Sequence, residues 1–131
     1  MINNCERKAS ILVVDDDPEL RHVLTTLLKD NGYSCDEACD GPAAIGMIRK
    51  NRYDVIFMDL LMPGLSGCDT ISEIHSISPG TPVAVISIVS DEAAMKELFD
   101  AGAAVYIRKP FKIEEVIRTA ENLISKNRGA P

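Results

Sequence analysis

The chain has 131 residues, 46% of them hydrophobic and 26% charged, a composition typical of one globular domain rather than a disordered chain. The net charge is −6, from 14 basic and 20 acidic residues, which argues against a nucleic-acid-binding surface because that needs clustered positive charge. No apolar run reaches the ~18 residues of a membrane span, and residues 1–10 lack the apolar core of an export signal. We therefore expect a cytoplasmic protein that binds neither membranes nor nucleic acid directly.

The first predicted elements are a buried strand and a helix. Residues 11–14 are all apolar, as in a strand buried on both faces of a parallel sheet, and the acidic run 15–17 follows them. Asp17 is a good helix N-cap, and Pro18 suits the first helical position. Apolar residues at helical spacing then predict a helix that ends at the Asn-Gly pair 31–32.

Strands and helices alternate along the rest of the chain. The further predicted strands are 33–38, 53–58, 82–86 and 104–107, and the further predicted helices are 43–51, 71–77, 91–101 and 113–124. This alternation predicts an α/β, doubly wound fold, in which a five-stranded parallel sheet is flanked by five helices. The chain contains no repeat or linker, so we expect one domain at 10–126, with flexible segments at 1–9 and 127–131.

Polar side chains collect where the predicted strands end. Asp15 and Asp16 follow the first strand, Asp59 the third and Ser87 the fourth, and Lys109 comes shortly after the fifth. Ligands of such sheets bind beyond the carboxyl ends of the strands, so we expect these side chains to share one cleft. Any single acid here is equally well explained as a helix cap or a solvated loop residue, but the whole set favours a site.

Three carboxylates in one cleft require a cation. Two carboxylates ~4 Å apart repel each other by roughly 4 kcal/mol at an effective dielectric constant of about 20, and one lysine does not offset three acids. Carboxylates, waters and phosphate oxygens are the usual ligands of Mg²⁺. Such an ion would also neutralise a transferring phosphoryl group, so that Asp59 acts as the nucleophile, with Ser87 and Lys109 contacting phosphoryl oxygens.

Four stretches of the sequence resemble the signatures of response-regulator receiver domains, in the order of that family. They are ILVVDDDPELR, DVIFMDLLMPGLSG, PVAVISI and YIRKPF. The similarity extends from Ile11 to the last helix, nearly the whole chain. It implies the flavodoxin-like fold with strand order 2-1-3-4-5.

The resemblance implies a metal site around the phosphoacceptor, which corresponds to Asp59. Asp16 corresponds to a direct ligand of Mg²⁺ (or Mn²⁺), and Asp15 to the partner acid that binds the ion largely through water. The backbone carbonyl of Leu61 is similar to the third protein ligand of the family.

Three further residues match the family's signalling positions. Ser87 occupies the place of the Ser or Thr that moves to the phosphoryl group. Lys109 matches the family's lysine, and its bond to Pro110 is commonly cis. Tyr106 stands where an aromatic residue reports activation by its burial, although half-buried aromatics are also common in ordinary strands.

The function implied is that of a phosphoacceptor in a two-component phosphorelay. A sensor histidine kinase or a histidine phosphotransfer protein would present a phosphohistidine to Asp59. The face made by the fourth helix, fifth strand and fifth helix would then change and bind an output partner. The chain would assist its own phosphorylation and dephosphorylation, and we do not expect it to be an enzyme.

Three alternatives fit the sequence less well. A phosphatase with an aspartyl-phosphate intermediate usually carries a second Asp two positions after the nucleophile, where this chain has Leu61. A nucleotide-binding domain would need a glycine-rich phosphate loop, which does not follow the first strand. A degenerate receiver that acts only as a phosphorylation-independent interaction module remains open. Ile88 favours it, because the family usually has a small residue after Ser87.

Ile88 also leads to a hypothesis about phosphoryl lifetime. A branched side chain beside Ser87 would narrow the approach to Asp59, flanked by apolar Leu61 and Val89. Water would then reach the acyl phosphate poorly, and the phosphorylated form would be long-lived.

Overall fold

A computed structural model of the chain describes residues 9–60, 65–88 and 91–127, within which five strands and five helices alternate. The strands are β1 (Ser10–Val14), β2 (Ser34–Ala38), β3 (Val55–Leu60), β4 (Val83–Ser87) and β5 (Val105–Arg108). The helices are α1 (Pro18–Asp30), α2 (Gly41–Lys50), α3 (Leu65–Ile77), α4 (Glu92–Ala101) and α5 (Ile113–Asn127).

The strands form one parallel sheet in the order β2-β1-β3-β4-β5. This confirms the predicted fold class and strand order. None of the helices in the described part of the chain is both long enough and apolar enough to cross a lipid bilayer.

Side chains that alternate along the strands supply two separate core layers, because successive residues of a strand point to opposite faces. Even-numbered residues of β1 and β3, such as Leu12 and Ile56, pack with α2, α3 and α4. Odd-numbered residues, such as Val13 and Phe57, pack with α1 and α5. Helices therefore cover both faces of the sheet, and the carboxyl ends of its strands remain as a shared edge.

Aspartate side chains fix the starts of three helices. Asp17 accepts hydrogen bonds from the backbone N–H groups of Glu19 and Leu20 at α1, as predicted. Asp40 caps α2 and Asp91 caps α4 in the same way. Each cap satisfies N–H groups that have no partner within the helix. The caps of α1 and α2 also fix where each chain segment leaves the carboxyl edge of the sheet.

The bounds of β3 differ from the prediction of a strand over 53–58 that ends before Asp59. The strand begins at Val55 and runs through Leu60, so that Asp59 lies within it. Pairing with β4 explains this, because Asp59 lies opposite Ile86 and Leu60 opposite Ser87. The acid therefore stands on the sheet itself rather than on a loop.

Ordered structure extends one residue beyond each predicted domain boundary. Ala9 is buried, and its carbonyl accepts a hydrogen bond of 3.1 Å from the N–H of Ser34. At the other end, α5 includes Asn127. Residues 1–8 and 128–131 lie outside the described residues, so the division into a domain with flexible ends stays a prediction.

Candidate functional site

The register of the sheet places two acids side by side. Val14 of β1 lies opposite Met58 of β3, so the residues that follow them, Asp15 and Asp59, occupy neighbouring positions at the carboxyl edge. Both carboxylates are nearly buried, with residue exposures of 2% and 8%. They line a cleft of about 500 Å³, together with Asp16 and the start of α2.

Lys109 forms an ion pair with Asp59. Its Nζ donates a hydrogen bond of 2.9 Å to Oδ1 and lies 2.7 Å from Oδ2. The lysine follows β5, and its backbone N–H donates to the carbonyl of Ser87, which ties it to the end of β4. The bond from Lys109 to Pro110 is cis, as the resemblance implies. The predicted meeting of Asp59 and Lys109 is therefore what the structure shows.

Each buried carboxylate has one oxygen that accepts no hydrogen bond. Oδ1 of Asp15 accepts from the N–H of Asp17 at 2.9 Å, but Oδ2 of Asp15 and Oδ2 of Asp59 have no hydrogen-bond partner. The ammonium of Lys109 lies 2.7 Å from Oδ2 of Asp59, so this oxygen has an ionic partner even though its hydrogen-bond angle is poor. Oδ2 of Asp15 is thus a buried anionic oxygen without a donor, which is an expensive arrangement unless a cation approaches it.

Burial raises the pKa of both carboxyl groups. The pKa of Asp15 rises to about 6, mainly through burial, while the hydrogen bond from Asp17 opposes the rise and the charge of Asp59 adds to it. Burial also raises the pKa of Asp59, and the hydrogen bond and charge of Lys109 oppose that rise. Burial and the neighbouring acidic charges thus penalise the ionised forms of these carboxyl groups, and a cation bound in the cleft would relieve that penalty.

The donor set fits a hard cation such as Mg²⁺. Within the described residues, no three His, Cys, Asp or Glu side chains are grouped so as to hold an ion by themselves. Mg²⁺ typically takes one or two carboxylates and completes its shell with waters and phosphate oxygens, so the buried carboxylate oxygens of Asp15 and Asp59 suit it. Asp16 is exposed and lines the same cleft. The predicted ligand Leu61 lies outside the described residues.

The two predicted switch residues lie on adjacent strands. Ser87 is fully buried at the end of β4. Tyr106 of β5 is half-buried, lies opposite Val85 and packs against the core layer beneath α2, α3 and α4. Ile88 follows Ser87 directly, and 61% of its surface is exposed.

Sequence reasoning missed a residue that contacts this site from α1. A guanidinium N–H of Arg21 donates a hydrogen bond of 2.7 Å to the backbone carbonyl of Asp15, and a second donates to Glu37 of β2. Helical spacing after Asp17 places Arg21 one turn into α1, but only the pairing of β1 with β2 brings Glu37 within its reach.

Comparison with known proteins identifies the class to which the fold and site belong. The family model for the response regulator receiver domain matches residues 11–121, and the chain therefore belongs to that family, as its motifs predict. Receiver domains of two-component systems accept a phosphoryl group, and in general they bind Mg²⁺ at an acidic pocket.

Particular relatives and structures agree with this class. The chain is 35% identical over 120 residues to the probable transcriptional regulatory protein TcrX of Mycobacterium tuberculosis, covering 89% of this chain and 50% of that protein. It is 32% identical over 121 residues to the DNA-binding response regulator MtrA of Mycolicibacterium smegmatis, covering 92% and 53%. The chain thus spans about half the length of these relatives. The chemotaxis protein CheY4 of Vibrio cholerae superposes with a TM-score of 0.80 at 29% identity, covering 88% of this chain and 98% of that one.

Proposed function

We propose that this receiver accepts a phosphoryl group on Asp59 from a phosphohistidine of a sensor histidine kinase or a histidine phosphotransfer protein. The observation that carries the proposal is the buried carboxylate of Asp59, which lies beside Asp15 and forms an ion pair with Lys109. A carboxylate oxygen attacks phosphorus, the N–P bond breaks, and its electron pair returns to the histidine nitrogen. The product is an aspartyl phosphate.

The acidic cleft is proposed to hold Mg²⁺, with Mn²⁺ as a substitute. Asp15, Asp16 and Asp59 would hold the ion, with the backbone carbonyl of Leu61 as a further ligand. When bound, the ion neutralises charge on the transferring phosphoryl group. Support comes from the buried Oδ2 of Asp15, which accepts no hydrogen bond, and from its position beside the buried carboxylate of Asp59.

Ser87 and Lys109 are proposed to stabilise the phosphorylated state. The ammonium of Lys109 already lies at Asp59 and would pair with a phosphoryl oxygen once one is attached. Ser87, at the end of the neighbouring strand, would donate its hydroxyl hydrogen to another phosphoryl oxygen. These are charge-assisted hydrogen bonds, which are stronger than neutral ones.

The signal is proposed to leave through the face made by α4, β5 and α5. Movement of Ser87 towards the phosphoryl group would leave room for Tyr106 to turn inward. The half-burial of Tyr106 on β5 and the exposure of Phe99 on α4 support this choice of face. In such a switch, a new charge at one site shifts a nearby part of the fold from one conformation to another.

Location, partners and catalytic status are part of the same proposal. We place the domain in the cytoplasm, where it meets a kinase and an output partner and assists only its own phosphorylation and dephosphorylation. MtrA is a DNA-binding response regulator, but with a net charge of −6 this domain itself is proposed not to bind nucleic acid.

Intact mass spectrometry tests the proposal. The chain is incubated with Mg²⁺ and a small-molecule phosphodonor such as acetyl phosphate, beside Asp59→Asn and a sample with EDTA. We expect a gain of one phosphoryl group in the parent only. No gain from either the small donor or a phosphohistidine donor would contradict the proposal and favour a phosphorylation-independent interaction module.

A further inference from the structure

Arg21 of α1 links the backbone at the end of β1 to the side chain of Glu37 on β2. Its Nη1 donates a hydrogen bond of 2.7 Å to the backbone carbonyl of Asp15, and its Nε donates one of 2.8 Å to Oε1 of Glu37. The hydroxyl of Thr25, one turn further along α1, donates to Oε2 of Glu37 at 3.2 Å. The guanidinium of Arg21 is thus fixed by Glu37 of β2 and, in turn, fixes the backbone at the end of β1.

The hydrogen bond to the carbonyl of Asp15 also restricts the orientation of the next residue, Asp16. A peptide unit is planar, so fixing this carbonyl also fixes the N–H and Cα of Asp16, from which the second acid of the cleft projects. The backbone N–H of Asp15 donates to the carbonyl of Ala38, and its Oδ1 accepts from Asp17. Arg21 adds a further hydrogen bond to the backbone that carries both acids.

Only an arginine can make both contacts at once. Its planar guanidinium presents donors in a rigid fork, whereas a lysine offers one compact ammonium. The side chain of Arg21 is 17% exposed and that of Glu37 34% exposed, so water competes only partly for these hydrogen bonds. The pair of Arg21 and Glu37 is therefore more firmly positioned than an ion pair on the exposed surface.

We propose that Arg21 is a positioning residue that orients Asp15 and Asp16 for a divalent cation, with Glu37 holding its guanidinium. The inference rests on the proposed Mg²⁺-dependent phosphoacceptor function, which it deepens. Arg21 contacts no reacting atom. It reduces the reorientation that the acids must undergo when a cation binds, so its loss weakens cation binding without changing the chemistry of the loaded site.

Calorimetric titration of Mg²⁺ into Arg21→Met tests this directly. We expect binding roughly tenfold weaker than in the parent, in the range found for outer-shell partners of metal ligands. Arg49→Met is the matched control, because Arg49 of α2 pairs with Glu73 at 3.7 Å on an exposed surface. We expect this control to bind Mg²⁺ as the parent does.

Phosphorylation kinetics provide the second readout. The Mg²⁺ concentration that gives half the maximal rate should rise roughly tenfold in Arg21→Met, while the rate at saturating Mg²⁺ stays that of the parent. Arg21→Lys should recover only part of the affinity, because its ammonium cannot bridge Asp15 and Glu37. A variant that only loosened the fold would instead lower the saturating rate.

Three results would overturn the inference. Parental Mg²⁺ affinity in Arg21→Met shows that the guanidinium does not position the acids, and an equal loss in Arg49→Met shows a general effect of charge. A parent chain that binds no Mg²⁺ removes the proposed function itself, which is a distinguishable failure. If Arg21→Met does not fold, Glu37→Gln carries the same test, with a severalfold loss of affinity expected and an unchanged affinity contradicting the inference.

Discussion

The ammonium of Lys109 lies 2.9 Å from Oδ1 and 2.7 Å from Oδ2 of Asp59, although 50 positions separate the two residues in sequence. The side chain of Asp59 is 2% exposed and that of Lys109 17% exposed. The pair joins the end of β3 to the segment after β5, so it contributes both to the fold and to the charge balance of the cleft.

Removing the lysine should therefore destabilise the fold through Asp59. We expect Lys109→Met to lower the free energy of unfolding by about 2 kcal/mol at neutral pH, less than the full cost of breaking a buried pair because the side chain of Lys109 is partly exposed. In an Asp59→Asn background the same change should cost much less. Urea unfolding of the four proteins measures this coupling, and equal costs in both backgrounds would show that the pair does not stabilise the fold.

Removing the charge of Asp15 should stabilise the metal-free protein. The unfolded chain releases this proton near pH 3.8, but the folded chain holds it to about 6, so stability falls as pH rises through that window. Asp15→Asn keeps the Oδ1 acceptor for the N–H of Asp17. It removes the cost of burying an ionised carboxylate, which corresponds to roughly 2–3 kcal/mol.

Unfolding in EDTA at several pH values checks this prediction. The gain from Asp15→Asn should be near zero below the lower pKa and complete above the higher one. A gain that is independent of pH would show that burial of the charged form is not the cause. With Mg²⁺ added, the parent should become more stable than Asp15→Asn, because the variant loses a ligand for the ion.

Ile88→Ala tests whether the exposed side chain after Ser87 controls access to Asp59. Because 61% of Ile88 is exposed, stability should change by no more than about 0.5 kcal/mol. Phosphorylation by a small donor, loss of the phosphoryl group, or both should become severalfold faster. Time courses by intact mass measure the two rates, and parental values for both would refute the hypothesis of a hindered site.

Gly41 and Thr70 should be coupled at the rim of the cleft. A Cβ atom at position 41 would lie 2.6 Å from Oγ1 of Thr70, so Gly41→Ala should cost about 1–2 kcal/mol through overpacking. In a Thr70→Ala background the same change should cost much less, because the close contacts with Oγ1 and Cγ2 of Thr70 are removed. Thermal unfolding of the cycle measures the coupling, and additive effects would show that α3 shifts without cost.

The sequence predicts most of the site because parallel strands end at a common edge. Asp59 meets Lys109 and lies beside Asp15 at that edge, Ser87 ends the neighbouring strand, and the pattern of buried strands predicts the order of elements well. The strand position of Asp59 could not be predicted, because it depends on the register with β4. The role of Arg21 could not be predicted either, because its contact with Glu37 depends on how closely α1 packs beside β2.

The difference between the two neighbouring acids also exceeds what the sequence can show. Asp15 continues the register of β1 and is buried beside Asp59, whereas Asp16 turns away with the chain and is exposed. Sequence alone gives both the same environment. Only the paired strands reveal that Asp15 is the buried acid, and burial raises the pKa of its carboxyl group.

Phosphorylation of Asp59 is tested most directly by reducing the phosphorylated protein with borohydride and locating the product by peptide mass spectrometry. Borohydride reduces an acyl phosphate to an alcohol and leaves free carboxylates intact. We predict conversion of Asp59 alone to homoserine, only in samples that received both Mg²⁺ and the phosphodonor. Conversion of Asp15 or Asp16 with Asp59 unchanged, or a phosphoryl group that resists reduction, would contradict Asp59 as the acceptor.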